Sequence, residues 1–96
     1  MTSVQLTKPI TVNGSELKSI ELDFDKLDGN VWIFCEAEAV RAQGGVPMLS
    51  PVTDGAFHVQ VAAKASGIAV EVLRSLPFIE FGAVVGAVRS FLLGAD

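Results

Sequence analysis

The sequence predicts an α+β fold in which an N-terminal β-hairpin is followed by three to four α-helices. Two observations support this class. Apolar residues alternate with a period of two as far as Phe24, and beyond Asp28 they recur at helical spacing. A chain of 96 residues has the length of one domain. We therefore expect residues 1–96 to form a single domain, with the hairpin over residues 4–24 and the helical part over residues 28–94.

The two arms of the hairpin carry their apolar residues at even positions: Val4, Leu6, Ile10 and Val12, then Ile20, Leu22 and Phe24. Asn13-Gly14 marks the turn, but in a regular ladder a two-residue turn would place Leu6 and Ile20 on opposite faces. We therefore predict a three-residue loop, Val12-Asn13-Gly14, which pairs Leu6 with Ile20 and holds Gly14 at positive φ. Pro9 lacks an N–H group, which predicts an edge position for the first arm.

Helix-capping residues define the next two segments. Asp28 is suited to cap a helix that ends near Gln43, before Gly44-Gly45, and its apolar first turns (VWIFC) predict a buried beginning. Ser50-Pro51 is typical of a helix start and Gly67 of a helix end, which predicts a second helix over residues 51–66.

A short helix (VEVLRSL) follows, and Pro77 opens a last helix that runs to about Leu93. One side of this helix is a broad apolar stripe that predicts a core contact, with Phe81, Val85, Val88 and Leu92 among its members. The opposite side carries small residues, including Gly82 and Gly86, which allow a second helix to approach closely. Two partners fit this side: another helix of the same chain, or a second subunit or client protein.

The charge distribution excludes several classes of partner. The net charge is −4, and the seven lysines and arginines are scattered, whereas nucleic-acid binding needs clustered basic residues. The apolar run from Phe81 to Leu93 is too short to span a bilayer and contains Arg89, so we expect no membrane partner. A single cysteine and the absence of a signal-peptide pattern favour the cytoplasm.

No catalytic or metal-binding pattern stands out. The segment DFDKLDG has the wrong spacing for a calcium loop, and His58, which we expect at the surface or half-buried, has no second ligand at metal-binding spacing. Cys35 lies in an apolar helix, where a thiolate is disfavoured. Glu36 and Glu38 do not share a helix face. The sequence therefore predicts a protein that is not an enzyme and that has no cofactor and no metal.

Instead, the chain is unusually apolar for its size. Half of its residues are hydrophobic and 19% are charged, and between Ala42 and Ala63 the only charged residue is Asp54. Neither side of the second predicted helix has a charged, solvated face. These features predict a partner-binding surface made of Phe57, Val61, Phe78, Ile79, Gly82 and Gly86.

The order of several segments resembles that of a known family. These segments are LTKPITVNGSELKSIELDF, EAEAVRAQGG, VAAKASGI, LRSLPFIEF and SFLLG. Over residues 4–94 the chain is similar to the tail assembly chaperones of contractile-tailed phages, most specifically at KPITVNG and VAAKASG. It departs from them at Ala69, where the family often has proline, and at Trp32, Phe34, Phe78 and Ile79, where the family is more polar.

The resemblance implies a phage or prophage protein that keeps the tape measure protein soluble in the cytoplasm of the bacterial host. It also implies that the protein assists polymerisation of the tail tube protein and is absent from the mature virion. A homo-oligomer is compatible with it. The alternative is a structural tail component retained in the virion, and the third hypothesis is a small enzyme, which would need a convergent polar pocket.

Overall fold

The computed structural model describes residues 1–94. An antiparallel hairpin of β1 (Thr2–Val12) and β2 (Ser15–Leu22) leads through a 3₁₀ turn (Phe24–Lys26) into four helices. These helices are α1 (Gly29–Ala42), α2 (Gly55–Ser66), α3 (Val70–Arg74) and α4 (Phe78–Leu92). The predicted α+β class, a hairpin followed by helices, is confirmed.

The hairpin turn differs from the predicted loop. Asn13 and Gly14 form a two-residue turn, both at positive φ (51° and 81°), and Val12 pairs with Ser15. The positive φ of Gly14 is thus confirmed, but the three-residue loop is wrong. The pairing of Leu6 with Ile20 is also wrong, because Ile20 lies opposite Val4.

An irregularity inside β1 explains why both arms keep their apolar residues at even positions. Between the pairs Gln5–Ser19 and Ile10–Leu17, residues 6–9 of β1 face Lys18 alone on β2. The three extra residues on β1 reverse the side-chain alternation, so Val4 and Ile20 share the buried face. Pro9 lies inside this bulge, where its missing N–H costs no ladder hydrogen bond.

Glu80, in the first turn of α4, fastens the bulge to the helical part. One of its carboxylate oxygens accepts hydrogen bonds from the backbone N–H of Thr7 (2.6 Å), from the Thr7 hydroxyl and from the backbone N–H of Lys8 (3.3 Å). The Thr7 hydroxyl, followed by these amides and the Lys8 charge, lowers the pKa of Glu80 against the opposing effect of burial. Glu80 is therefore ionised at neutral pH and joins β1 to α4.

The helix ends follow the capping residues, with one correction. The Asp28 side chain accepts a hydrogen bond from Val31 N–H (3.1 Å), and Gly67 ends α2 at a φ of 76°, as predicted. The predicted start of α2 at Pro51 is wrong, because the helix begins at Gly55. Asp54 is its cap: the carboxylate accepts a hydrogen bond from Phe57 N–H (2.9 Å), and both of its oxygens accept one from the Gln43 amide (2.9 Å each).

The hairpin and the helices share one core. From the hairpin, Val4, Ile20 and Leu22 are buried in the same cluster as Val84 and Val88 of α4. The predicted core stripe of α4 is confirmed at Val88, whereas Phe81, Val85 and Leu92 are only half-buried. One side of α4 therefore faces the core and the other is left uncovered.

Replacement of Glu80 tests the link between β1 and α4. We expect Glu80→Ala to lower the melting temperature at neutral pH, because it leaves the Thr7 and Lys8 amides without their acceptor. Glu80→Gln should lower the melting temperature less, because glutamine keeps an acceptor oxygen. Because the pKa of Glu80 is lowered in the fold, the difference between wild type and Glu80→Ala should shrink as the pH falls below the ordinary value of 4.5.

The matched control is Glu71→Ala, which removes an exposed glutamate from another helix. Thermal unfolding followed by circular dichroism gives the comparison. Equal melting temperatures for Glu80→Ala and Glu71→Ala would contradict the role assigned to Glu80.

The hairpin turn gives a second prediction. A Cβ atom at Gly14 would meet nothing within 4 Å, so the cost of Gly14→Ala is conformational and amounts to about 1–2 kcal/mol for a left-handed backbone. Gly55→Ala is the control, since Gly55 also has open space but begins a helix at an ordinary φ. Urea denaturation measures the free energy of unfolding of both variants. An equal change for Gly14→Ala and Gly55→Ala would contradict the left-handed conformation assigned to Gly14.

Candidate partner-binding surface

The six residues predicted to bind a partner divide into two groups. Phe57 and Val61 are buried, at 0% and 5% exposure, so their assignment to the surface is wrong. They belong to α2, which contacts α1, α3, α4 and β2 and is therefore covered on both sides. The shortage of charge in this segment marks the central helix of the fold and not a binding face.

The other four residues lie on the uncovered side of α4. Phe78 and Ile79 are 89% and 77% exposed at its beginning, and Leu93, just after its end, is 64% exposed. At 100° per residue, Ile79, Gly82, Gly86 and Leu93 lie along one stripe. We define the α4 outer face as Phe78, Ile79, Gly82, Ala83, Gly86 and Leu93.

Within residues 1–94, no helix covers the two glycines of this face. A Cβ atom added at Gly82 or Gly86 would meet nothing within 4 Å. Of the two partners that fit the small residues, another helix of the same chain is therefore not found among the described residues. A second subunit or a client protein stays a prediction.

The beginning of α1 is a second exposed apolar region. Trp32, Ile33 and Phe34 are exposed, so the predicted burial of the VWIFC turns is wrong for these three side chains. The reason is that α1 packs mainly against α2, with Cys35 and Ala39 as its buried contacts, and Trp32, Ile33 and Phe34 lie away from that side. The Lys64 ammonium lies 4.3 Å from the centre of the Phe34 ring and partly shields it.

A small hollow opens between the 3₁₀ turn, the beginning of α1 and the end of α4. Its volume is about 160 Å³, and its walls include Leu27, Val31, Trp32 and Leu92. Phe24 and Phe91 form another wall, with their rings stacked 4.2 Å apart at 8°. We call this hollow the Trp32 pocket. Trp32 is 40% exposed and packs its inner side on Phe57, with ring centres 4.9 Å apart.

Cys35 and His58 are both buried. Burial raises the pKa of the Cys35 thiol to about 11, so the thiol stays protonated at neutral pH. His58 is fully buried, which corrects the prediction of a surface or half-buried histidine. Its Nε2 lies 2.8 Å from the Pro51 carbonyl oxygen, to which it donates as Nε2–H, and burial lowers its pKa. The imidazole is therefore neutral and holds the loop before α2.

Within residues 1–94, no group of three or more histidine, cysteine, aspartate or glutamate side chains is placed to hold a metal ion. None of the helices described there is both long enough and apolar enough to cross a membrane.

Comparison of the chain with protein-family models, with curated proteins and with solved structures gives no match. Sequence reasoning left Ile33, Leu93 and the Trp32 pocket out of the predicted binding residues. Helical periodicity is enough to find Leu93, because it shares its helix face with Gly86. It does not find the pocket, which is formed by three segments that are distant in sequence.

The open space beside the two glycines gives a third prediction. We expect Gly82→Ala and Gly86→Ala each to stabilise the protein by about 0.5–1 kcal/mol, because alanine favours the helix and meets no neighbour. Gly67→Ala, at the positive φ that ends α2, should destabilise it. Urea denaturation at several protein concentrations measures all three. Destabilisation by Gly82→Ala or Gly86→Ala would mean that this face is already packed, for example against a second copy.

Proposed function

We propose that this chain is a phage or prophage tail assembly chaperone that binds the tape measure protein and keeps it soluble during tail assembly. It acts in the cytoplasm of the bacterial host and is absent from the mature virion. The resemblance of its segments to that family supports this function. The observation that carries the proposal is the α4 outer face, where large apolar side chains stand uncovered on a folded domain.

The shape and charge of this face suit a helical client. Phe78 and Ile79 stand at one end and Leu93 at the other, while Gly82, Ala83 and Gly86 leave room between them for a second helix. The six residues of this face are uncharged, and the exposed Arg89 borders them one turn after Gly86. An amphipathic helix can lay its apolar side into such a surface, a common mode of peptide recognition.

The same face limits the alternatives. Reaction chemistry needs polar groups that converge on a substrate, whereas this surface offers packing area only. We therefore propose a binding protein without enzymatic activity and without a cofactor. A second copy of the chain and the tail tube protein are further proposed partners, because each could use the apolar area that the tape measure leaves free.

Co-expression tests the proposal and gives the fourth prediction. The tape measure protein of the same phage or prophage should aggregate when produced alone and stay soluble with this chain. Phe78→Ser combined with Ile79→Gln should weaken capture by about 1–3 kcal/mol while the fold is kept, because both side chains are exposed. The soluble fraction and pull-down of the client measure the effect.

Leu49→Ser is the matched control, since Leu49 is fully exposed on the loop before α2 and lies outside the α4 outer face. The proposal is wrong if the tape measure protein is equally soluble without this chain. It is also wrong if purified tails contain the chain in fixed copy number, which would identify a structural tail component.

A further inference from the structure

The Trp32 pocket has the size of one aromatic side chain. Its volume of about 160 Å³ is close to that of an engineered apolar cavity of about 150 Å³ that binds benzene. Apart from Asp28, its walls are apolar, and they include three aromatic rings, those of Phe24, Trp32 and Phe91. Aromatic pockets of this kind hold the anchor residues of protein interfaces.

Two aspartates lie at or near the pocket. Asp28 lies in its wall, and Asp25 borders an adjoining hollow that shares Phe24 and Phe91 with it. Asp25 and Asp28 are exposed, and from Asp23 to Asp28 three aspartates stand against the single positive charge of Lys26. The segment from Asp23 to Asp28 beside the pocket is therefore net negative, which favours a partner with positive charge beside its apolar anchor.

We propose that the Trp32 pocket binds an amphipathic helix of another protein through one large apolar side chain, phenylalanine or leucine, flanked one turn away by lysine or arginine. A helix is the fitting form, because residues three or four positions apart lie side by side on it. The anchor enters between Trp32 and Phe91, and the basic side chains meet Asp25 and Asp28. The inference rests on the proposed function only in taking the client to be helical.

Trp32 makes the test direct, because it is the only tryptophan of the chain and lies in the pocket wall. The probe is an alanine-based helical peptide longer than about 15 residues, with one central phenylalanine and a lysine one turn before and after it. Titration of the isolated protein with this peptide should give a saturable change in Trp32 emission. Alanine in place of the phenylalanine should weaken binding at least about tenfold.

Glutamine in place of both lysines should weaken binding about threefold at low ionic strength and remove most of its salt dependence. Asp25→Asn combined with Asp28→Asn should have the same effect, because it removes the two carboxylates. The fold should be kept, since asparagine also caps a helix and so preserves the cap of α1. Glu36→Gln combined with Glu71→Gln is the control, because these exposed carboxylates lie outside the pocket.

Filling the pocket gives a matched pair of variants on one helix. Val31→Phe places a ring in the pocket and should lower peptide affinity at least about tenfold. Val40→Phe, on the opposite side of α1, should leave affinity unchanged. Because the peptide variants are compared on the wild-type protein, the test stands even if Val31→Phe fails to fold.

Three results would overturn the proposal. The alanine peptide could bind as tightly as the phenylalanine peptide, or Val40→Phe could weaken binding as much as Val31→Phe. Trp32 emission could also change with protein concentration alone, which would mean that a second copy fills the pocket. Because the titration contains no phage component, its failure leaves the co-expression test of the chaperone function intact.

Discussion

The hydrogen bonds from Thr7 and Lys8 to Glu80 determine how the two halves of this fold meet. The bulge takes Thr7 and Lys8 out of the regular ladder with β2, which leaves their backbone amides available to another acceptor. Glu80 supplies one charged oxygen for both. To do so, it must point inward from the first turn of α4. Helical geometry then turns Ile79, Gly82 and Gly86 outward, so the exposed face of α4 follows from the contact that holds the hairpin.

Local chemistry in the sequence was enough to predict the elements of the fold. Asp28 caps α1, Gly67 ends α2 and Asn13-Gly14 makes the hairpin turn, each through a contact or a backbone angle within a few residues. The register of the hairpin could not be predicted in this way. Side-chain alternation assumes a regular ladder, and the four residues opposite Lys18 break it. Two of them bond to Glu80 of α4, more than seventy positions away.

The candidate site was predicted in part, and its errors share one physical origin. A helix with little charge is either covered on all sides or a binding surface, and periodicity alone does not distinguish the two. Phe57 and Val61 belong to the covered case, because α2 lies at the centre. The apolar start of α1 was expected to be buried, but Ile33 is exposed because α1 packs mainly against α2, on its Cys35 and Ala39 side. Which helix is central depends on long-range packing that no local pattern records.

The two exposed apolar regions differ in what they can distinguish. The residues of the α4 outer face are uncharged and Arg89 borders them, so the contact proposed there rests mainly on apolar packing. The Trp32 pocket admits one side chain and places carboxylates beside it, so it discriminates by shape and by charge. The proposed chaperone function would use both properties, area for general shielding and one anchor for position. On a domain of this size they are compatible with folding because α2 supplies a buried centre and Glu80 joins α4 to the hairpin.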